Sequence, residues 1–248
     1  MKKVILLLVL IVTVSCKNET KKELVTEIKN EVFPNEMQKI FDKHGGLKAW
    51  RKQKVLSFNL GEDAHTIDLH SRKTVVSNSN YSLGFDGKNI WVSDTTLYKK
   101  DPKFYYNLYF YFYAMPFVLA DDGIMYEKTS PLTFEGKEYP GYKISYKANV
   151  GTSPDDNYFV YYNPDNFQMA WLGYTVTYFS KKPTKKANLI RYNSWEKVNG
   201  FLLPKAITWY KKDDKGMPLE PARPATEFRL PLVSQGQLAD SFFEKPKE

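Results

Sequence analysis

The chain has 248 residues, a formal net charge of +8 and a single cysteine. One cysteine excludes an intrachain disulfide and a cysteine-based metal site, and three histidines leave few ligands for any other transition-metal centre. The length is compatible with one large β domain or two small ones.

The N-terminal residues predict an exported protein. Two lysines give a positive start, an unbroken apolar run follows from Val4 to Val12, and Cys16 closes the segment. This is the order of a secretory signal peptide, and the apolar run is shorter than the roughly 17–25 residues of a membrane-spanning helix. We therefore expect residues 1–15 to be a signal peptide. Residues 16–31 are charged and nearly free of aromatic side chains, which predicts a flexible tether.

Residues 32–248 are expected to form a single β-rich domain. Apolar residues at Met37, Ile40 and Phe41 have helical spacing, and Gly45–Gly46 marks the end of that helix. From Leu56 onward apolar and polar residues alternate, which indicates strands with one buried face.

Tight turns separate the predicted strands. Asp86–Gly87 and Asn199–Gly200 are flanked by strand-forming residues, the strongest short-range signal of a β-hairpin, and Asn163–Asn166 is a third turn. The pattern predicts about ten strands, without the strand–helix alternation of a parallel sheet. We therefore predict a mainly β fold with some α structure (α+β) and an antiparallel sheet.

Residues 104–117, here called the aromatic segment, break this pattern. Nine of its fourteen residues are aromatic, and Asp101–Pro102 before it is typical of a helix N-terminus. The aromatic side chains would cover every face of a helix, so that helix is either buried on all sides or faces apolar material that is not always present. Core packing and the lining of an apolar ligand cavity both account for the pattern. The residues that we expect to line such a cavity are Trp91, Phe104, Tyr105, Tyr109, Phe110, Phe112, Tyr113, Phe117 and Trp171.

Several motifs resemble those of an uncharacterised family of Gram-negative outer-membrane lipoproteins. They cover about residues 36–210, and they are His44–Leu47 with Trp50, Asp68–Arg72, Gly84–Gly87 with Trp91, Tyr111–Phe117, Gly151–Asp156 and Val198–Pro204. More remotely, the layout resembles the LolA/LolB-like superfamily of lipoprotein carriers. That resemblance implies a strongly curved antiparallel half-barrel, with an N-terminal helix and the aromatic segment covering its concave face around a cavity for acyl chains.

A second resemblance concerns the end of the signal peptide. Thr13–Cys16 resembles the lipobox of bacterial lipoproteins, although Thr13 departs from the usual Leu, Val or Ile. The resemblance implies a diacylglycerol thioether on Cys16, which anchors the protein to a membrane. Two or more acyl chains are needed for a durable anchor. Lys17 after the cysteine favours the outer membrane, at its periplasmic face or the cell surface.

Catalytic motifs are weak by comparison. His44–Gly46 is similar to an oxyanion segment of lipases, but the chain has no G-x-S-x-G nucleophile motif, and two glycines are more simply a helix end. Asp68, His70 and Arg72 would share one face of a strand. They could form a surface charge ladder, bind a polar headgroup or transfer protons. No metal site and no cofactor are predicted.

The sequence therefore favours a non-catalytic lipoprotein that binds lipid or lipoprotein and holds an acyl chain in an aromatic-lined cavity, for transport, sorting or sensing. Its predicted partners are the membrane and an acyl-chain or lipoprotein ligand. Export argues against nucleic acid despite the basic charge. The alternatives are a hydrolase-type enzyme using Asp68 and His70, and a structural lipoprotein that binds partner proteins.

Overall fold

The computed structural model describes residues 33–146, 156–178, 182, 184 and 187–247. The predicted signal peptide, the tether and Cys16 lie outside these residues. The helices are α1 (Asn35–Lys43), α2 (Leu47–Trp50), α3 (Pro102–Tyr105) and α4 (Leu108–Tyr113), with 3₁₀ helices at Phe117–Ala120 and Asp240–Phe243.

Helix α1 forms where the sequence predicts it. Met37, Ile40 and Phe41 are three and one residues apart, so they share one helix face, and all three are fully buried. The helix ends before Gly45, whose φ of 116° lies in the region that glycine adopts most readily. A Cβ atom at Gly45 would lie 2.8 Å from the ring of Phe201, so the glycine also permits this close approach.

Six strands form the first antiparallel sheet. They are β1 (Val55–Leu60), β2 (Asp63–Asp68), β3 (Thr74–Ser77), β4 (Ser82–Phe85), β5 (Ile90–Val92) and β14 (Arg229–Ser234), in the spatial order β14-β1-β2-β3-β4-β5. The predicted turn at Asp86–Gly87 joins β4 and β5. Oδ1 of Asp86 accepts hydrogen bonds from the N–H groups of Lys88 and Asn89, which stabilises the turn.

The other strands form a second antiparallel sheet. They are β6 (Ile124–Phe134), β7 (Lys137–Tyr146), β8 (Tyr158–Tyr162), β9 (Met169–Tyr174), β10 (Asn188–Val198), β11 (Phe201–Lys212) and β12 (Pro218–Pro221), in the order β12-β11-β10-β9-β8-β7-β6, and β13 (Thr226–Glu227) pairs with β11. The predicted turn at Asn199–Gly200 joins β10 and β11, with positive φ at both residues. The edge strands β6 and β12 contact each other, so the sheet curls. The predicted fold class, a curved antiparallel half-barrel with helices, is confirmed.

The described residues contain fourteen strands in two sheets, whereas the sequence indicates about ten. The sequence pattern does not predict β3, β6 or β12. Strand β6 is mostly exposed and contains Pro131, so it lacks the alternation of a half-buried strand. Pairing with β7 forms it instead, and a bulge between Thr129 and Leu132 lies at the proline.

The aromatic segment is not one helix, in contrast to the prediction. Asp101 caps α3 as predicted, because its Oδ1 accepts a hydrogen bond from the N–H of Lys103. Helix α3 ends at Tyr105, and Asn107, with φ of −120° and ψ of −1°, separates it from α4. The chain then passes through a cis Met115–Pro116 peptide bond into the 3₁₀ helix. Aromatic residues have only a moderate preference for helix, so the packing of their rings, and not that preference, determines the backbone here.

The aromatic segment, α1 and both sheets share one hydrophobic core. Residues from these elements that are at most 1% exposed include Ile40, Phe41, Phe58, Ile67, Val160, Leu172 and Ile190. A smaller cluster lies on the opposite face of the second sheet, where Phe134 contacts the rings of Trp171 and Tyr210. The aromatic segment therefore covers one face of the second sheet, and the tip of β6 covers part of the other.

Candidate ligand-binding site

Four of the predicted lining residues lie deep in the core. Those at most 4% exposed are Phe110, Phe112, Tyr113 and Phe117. The ring of Phe112 lies 5.2 Å from that of Tyr174, and Phe117 stacks on Trp50 at 4.3 Å. In this conformation the neighbours of Phe110, Phe112 and Tyr113 are protein side chains, so a ligand reaches these three only if the aromatic segment moves, whereas Phe117 also borders a surface pocket.

Phe104, Tyr105 and Tyr109 are partly exposed and form the accessible edge of the aromatic segment. The ring of Phe104 lies 5.3 Å from that of Tyr178, and the rings of Tyr105 and Tyr109 are 6.0 Å apart. These are the predicted lining residues that a ligand from solvent meets first.

Trp91 and Trp171 lie elsewhere. Trp91 packs with Val75 and Phe243, and its Nε1 donates a hydrogen bond to the carbonyl of Phe243 at 2.8 Å. Trp171 belongs to the cluster on the opposite face of the second sheet. Adjacent residues in a strand point to opposite faces, which places Leu172, and not Trp171, in the main core. Of the predicted lining residues, ring contacts join Tyr105, Tyr109 and Phe112, while Trp91 and Trp171 lie in separate clusters.

Charged groups hold the residues that follow the aromatic segment. Nη2 of Arg72 donates two hydrogen bonds to the carboxylate of Asp121, at 2.7 and 2.9 Å, and the guanidinium lies 4.8 Å from the ring centre of Phe110. Burial raises the pKa of Asp121 above its usual range, while the charge of Arg72 acts in the opposite direction. Nη2 of Arg51 donates to the carbonyl of Ala120 at 3.3 Å. This end is therefore tied to α2 and to the β2–β3 connection.

At the other end of the segment, Asp63 accepts hydrogen bonds from three side chains. The hydroxyl of Tyr105 and Nδ2 of Asn78 each donate at 2.6 Å, and the hydroxyl of Tyr81 donates at 3.2 Å. Burial, and then the hydrogen bond to Asp63, raise the pKa of Tyr105 above its usual range. Tyr105 therefore stays a neutral donor that links α3 to the start of β2.

His65 lies two residues after Asp63 in β2, on the buried face of the strand. It is 1% exposed and stacks on Phe58 at 4.8 Å, with the rings of Tyr105 and Tyr109 at 5.9 and 6.3 Å. Neither ring nitrogen has a partner among the described residues. Burial lowers the pKa of His65 to about 4, although Asp63 acts to raise it. The imidazole is therefore neutral, with one nitrogen as donor and one as acceptor.

Two tyrosine hydroxyls share this property. The hydroxyls of Tyr98 and Tyr113 are buried without a partner in the described part of the chain. The ring of Tyr98 lies 6.3 Å from Tyr105, and that of Tyr113 lies 4.4 Å from Phe58. The described residues contain three more buried polar atoms without a partner, Oε1 of Gln53, Nε1 of Trp171 and Oε1 of Glu196. We call Tyr98, His65 and Tyr113, which lie along the aromatic segment, the unpartnered row. Buried polar groups are nearly always hydrogen-bonded, and each that is not costs about 1–3 kcal/mol.

His44 is the contrasting case, a buried histidine with both nitrogens paired. It is fully buried, its Nδ1 donates to the carbonyl of Leu202 at 2.9 Å, and its Nε2 accepts from the N–H of Met169 at 3.1 Å. Burial lowers its pKa to about 4, so it too is neutral. His44 joins the end of α1 to β9 and β11, which supports the interpretation of His44–Gly46 as a helix end.

The prediction that Asp68, His70 and Arg72 share a strand face is wrong. Strand β2 ends at Asp68, and a turn follows. Oδ1 of Asp68 accepts hydrogen bonds from the N–H groups of His70 and Ser71 and from the hydroxyl of Ser71, while Nε2 of His70 lies 3.1 Å from the carbonyl oxygen of Arg51. These groups stabilise the turn and are not arranged as a proton-transfer pair.

Two surface pockets lie apart from the unpartnered row. One of about 230 Å³ borders Phe117, Trp50 and His70, and one of about 130 Å³ borders Trp171 and Arg191. The lining of an acyl cavity by the aromatic segment stays a prediction.

Within residues 33–146, 156–178 and 187–247, no three potential ligands are grouped as a metal site would require. Across the same described ranges, none of the helices has the length and apolar character needed to span a membrane.

His65 is not among the site residues predicted from the sequence. Its signal is its position in β2, two residues before the apolar Ile67, which places both side chains on the same, buried face of the strand. The alternating pattern predicts that this histidine is buried, but it does not predict whether its ring nitrogens find hydrogen-bond partners. The structure answers that question.

No family model matches the chain, and a comparison with curated protein sequences gives no match either. Solved structures with a similar arrangement include a LolA superfamily protein from Nitrosomonas europaea, with 9% identity, a TM-score of 0.38 and coverage of 77% of this chain and 87% of that one. A DUF1329 family protein from Desulfovibrio piger has 11% identity, a TM-score of 0.44 and coverage of 82% and 95%. A putative outer membrane lipoprotein-sorting protein domain from Vibrio parahaemolyticus has 7% identity, a TM-score of 0.35 and coverage of 82% and 97%.

Proposed function

We propose that this protein is a non-catalytic lipoprotein of the outer membrane that binds an acyl chain, or the acylated end of a lipoprotein, beneath the aromatic segment. The observation that carries the proposal is the unpartnered row beside a large apolar aromatic surface. An amphiphile has both an apolar chain for the rings and a polar end for the unpaired atoms. Binding of an amphiphile would therefore give hydrogen bonds to those atoms and remove the free-energy cost of burying them unpaired. Packing of apolar side chains alone does not remove that cost.

The construction of the aromatic segment favours such an opening. Helices α3 and α4 have only four and six residues, and helices this short depend on tertiary packing for their stability. Displacement of the segment would uncover ring surfaces of the core. A bound acyl chain would cover them again, at about 0.8 kcal/mol for each buried CH₂ group.

The lipid anchor on Cys16 is part of the proposal. It would keep the domain at the membrane, where acylated ligands are concentrated, and the tether of residues 16–31 would give the domain reach. Transport, sorting and sensing of lipid are all consistent with this placement.

A second candidate function is binding of a partner protein at a sheet edge. Strand β14 pairs only with β1 in the described residues, and it presents Leu230 and Leu232, which are 77% and 53% exposed. Nδ2 of Asn199 occupies one outward carbonyl of this edge, that of Val233, at 3.1 Å, and the rest of the strand with its exposed leucines is a template for strand addition by another chain. Substitution of both leucines with lysine would abolish such binding without changing acyl-chain affinity.

Fluorescence titration of the purified protein with a fatty-acid probe tests the main proposal. We expect saturable binding by the wild type. Tyr109→Ala removes a half-buried ring at the accessible edge and should weaken binding about tenfold, since truncation of one ring in a ligand site costs on the order of 1–2 kcal/mol. Phe242→Ala is the control, because Phe242 is 46% exposed and lies outside the aromatic segment.

Stability measurements on the same variants complete the test. Phe112→Ala should lower the unfolding free energy by about 3–5 kcal/mol if the observed packing is the only state of the protein. A smaller loss, together with weaker probe binding, is expected if the segment opens for a ligand. A wild type that shows no saturable binding would contradict the proposed function.

A further inference from the structure

We propose that the polar end of the bound acyl compound is an uncharged group with both a hydrogen-bond donor and an acceptor, a hydroxyl or a secondary amide, and that it binds His65. This inference rests on the proposed function and names the chemical class of its ligand.

The geometry of His65 carries the inference. Its two nitrogens are the only imidazole nitrogens buried without a partner in the described residues, and one side chain thereby leaves two polar atoms unpaired. Packing does not force this outcome on a histidine in this protein, because His44 is equally buried and pairs both nitrogens with backbone groups. An imidazole with a free donor and a free acceptor is matched by a ligand group that has one of each.

The surroundings of His65 disfavour a charged end. The rings that contact it belong to Phe58, Tyr105 and Tyr109, and none of these carries a charge. The carboxylate of Asp63 lies two residues earlier in β2 and already accepts hydrogen bonds from its own donors. A carboxylate or phosphate at His65 would thus be desolvated near a like charge, without a cation in contact.

Ring contacts also provide a path for the acyl chain. Tyr109 contacts His65 at 6.3 Å and Phe112 at 6.2 Å, and Phe112 contacts Trp209 at 5.7 Å. This series leads from the buried imidazole to the partly exposed Trp209 of β11, whose ring lies 3.7 Å from the guanidinium of Arg223. The polar end therefore lies inside, and the apolar tail runs outward along the rings.

Competition experiments with four dodecyl compounds test the class of ligand. The compounds titrated against the fluorescent probe on the wild-type protein are 1-dodecanol, N-methyldodecanamide, methyl dodecanoate and dodecanoate. We expect the alcohol and the amide to bind about tenfold more tightly than the anion. The ester only accepts hydrogen bonds, so its affinity should be lower than that of the alcohol and the amide and higher than that of the anion. Comparison of the alcohol with the amide identifies which of the two groups fits better.

His65→Phe tests the residue itself, with His44→Phe as the matched control. His65→Phe replaces an unpaired ring with an apolar one, so it should keep or raise the melting temperature while the alcohol and the amide lose their advantage over the anion. His44→Phe leaves a buried N–H and a buried carbonyl unpaired, so it should lower the melting temperature. The wild-type ranking of the four compounds remains decisive if either variant fails to fold.

Three outcomes would contradict these expectations. If no dodecyl compound displaces the probe and the probe itself does not bind, the proposed function fails. If the compounds bind but the anion is as tight as the alcohol and the amide, only the inference about the ligand class fails. If His65→Phe loses as much stability as His44→Phe with unchanged affinities, a buried water or another internal partner satisfies His65, and its assignment to the ligand is wrong.

Discussion

Acidification should destabilise this protein well above the pH at which its carboxylates titrate. His44 and His65 are both buried, and burial lowers the pKa of each to about 4 from a usual value of 6.5. The unfolded chain therefore binds protons on these two residues between pH 6.5 and 4, while the folded protein does not. Stability is fully present above pH 6.5 and decreases as the pH falls through this window.

The size of the effect follows from the two pKa values. At pH 5 the unfolded state gains about 2 kcal/mol from protonation of each histidine, which makes about 4 kcal/mol for both. Asp121 opposes the trend, because its pKa is raised in the folded protein and its protonation favours folding as the pH falls. Most domains are stable by about 5–15 kcal/mol, so the loss from the histidines is a large fraction of the total.

Urea denaturation at pH 7 and at pH 5, followed by tryptophan fluorescence, measures this difference. We expect the unfolding free energy to be about 4 kcal/mol smaller at pH 5, and His65→Phe to remove about half of the dependence. Equal unfolding free energies at the two pH values would show that the histidines are hydrated or protonated in the folded protein, and the reasoning from burial would be refuted.

Three further predictions concern separate parts of the chain. Gly84→Ala should lower the unfolding free energy by about 1–3 kcal/mol, because a Cβ atom there would lie 2.3 Å from the carbonyl oxygen of Thr74; an unchanged melting temperature would count against the close packing of β3 and β4. Asp68→Ala should cost about 1–2 kcal/mol, because it removes the acceptor of the turn bonds from Ser71; loss of an enzymatic activity in this variant would instead support the hydrolase alternative. Cys16→Ser should abolish labelling by radioactive fatty acid, and labelling that persists would refute lipidation at this residue.

Local turn chemistry explains which parts of the fold are predictable from the sequence. Asp86–Gly87 and Asn199–Gly200 determine their own backbone conformation, with positive φ at Gly87, Asn199 and Gly200, so the hairpins follow from a few adjacent residues. The spacing of Met37, Ile40 and Phe41 gives α1 in the same way. Strand β6 depends on a partner strand, and its own residues carry little sign of it.

The candidate site is less predictable, because it depends on contacts between distant parts of the chain. The composition of the aromatic segment indicates that its rings are buried, but not that Asn107 divides the helix or that Trp171 faces away from it. The unpartnered row joins His65 of the first sheet to tyrosines more than thirty residues further along the chain. Whether a buried polar side chain finds a partner is a property of the complete packing, which no local pattern contains.

Native mass spectrometry of the Cys16→Ser protein, purified from its bacterial host without detergent, shows directly whether the domain carries a bound lipid. The substitution removes the covalent lipid, so any remaining lipid is bound non-covalently. We expect a 1:1 complex with a compound that carries an acyl chain and an uncharged hydroxyl or amide end, and a much lower occupancy in Tyr109→Ala. A spectrum that shows only the unliganded protein, both as purified and after incubation with the dodecyl compounds, would contradict the proposed function.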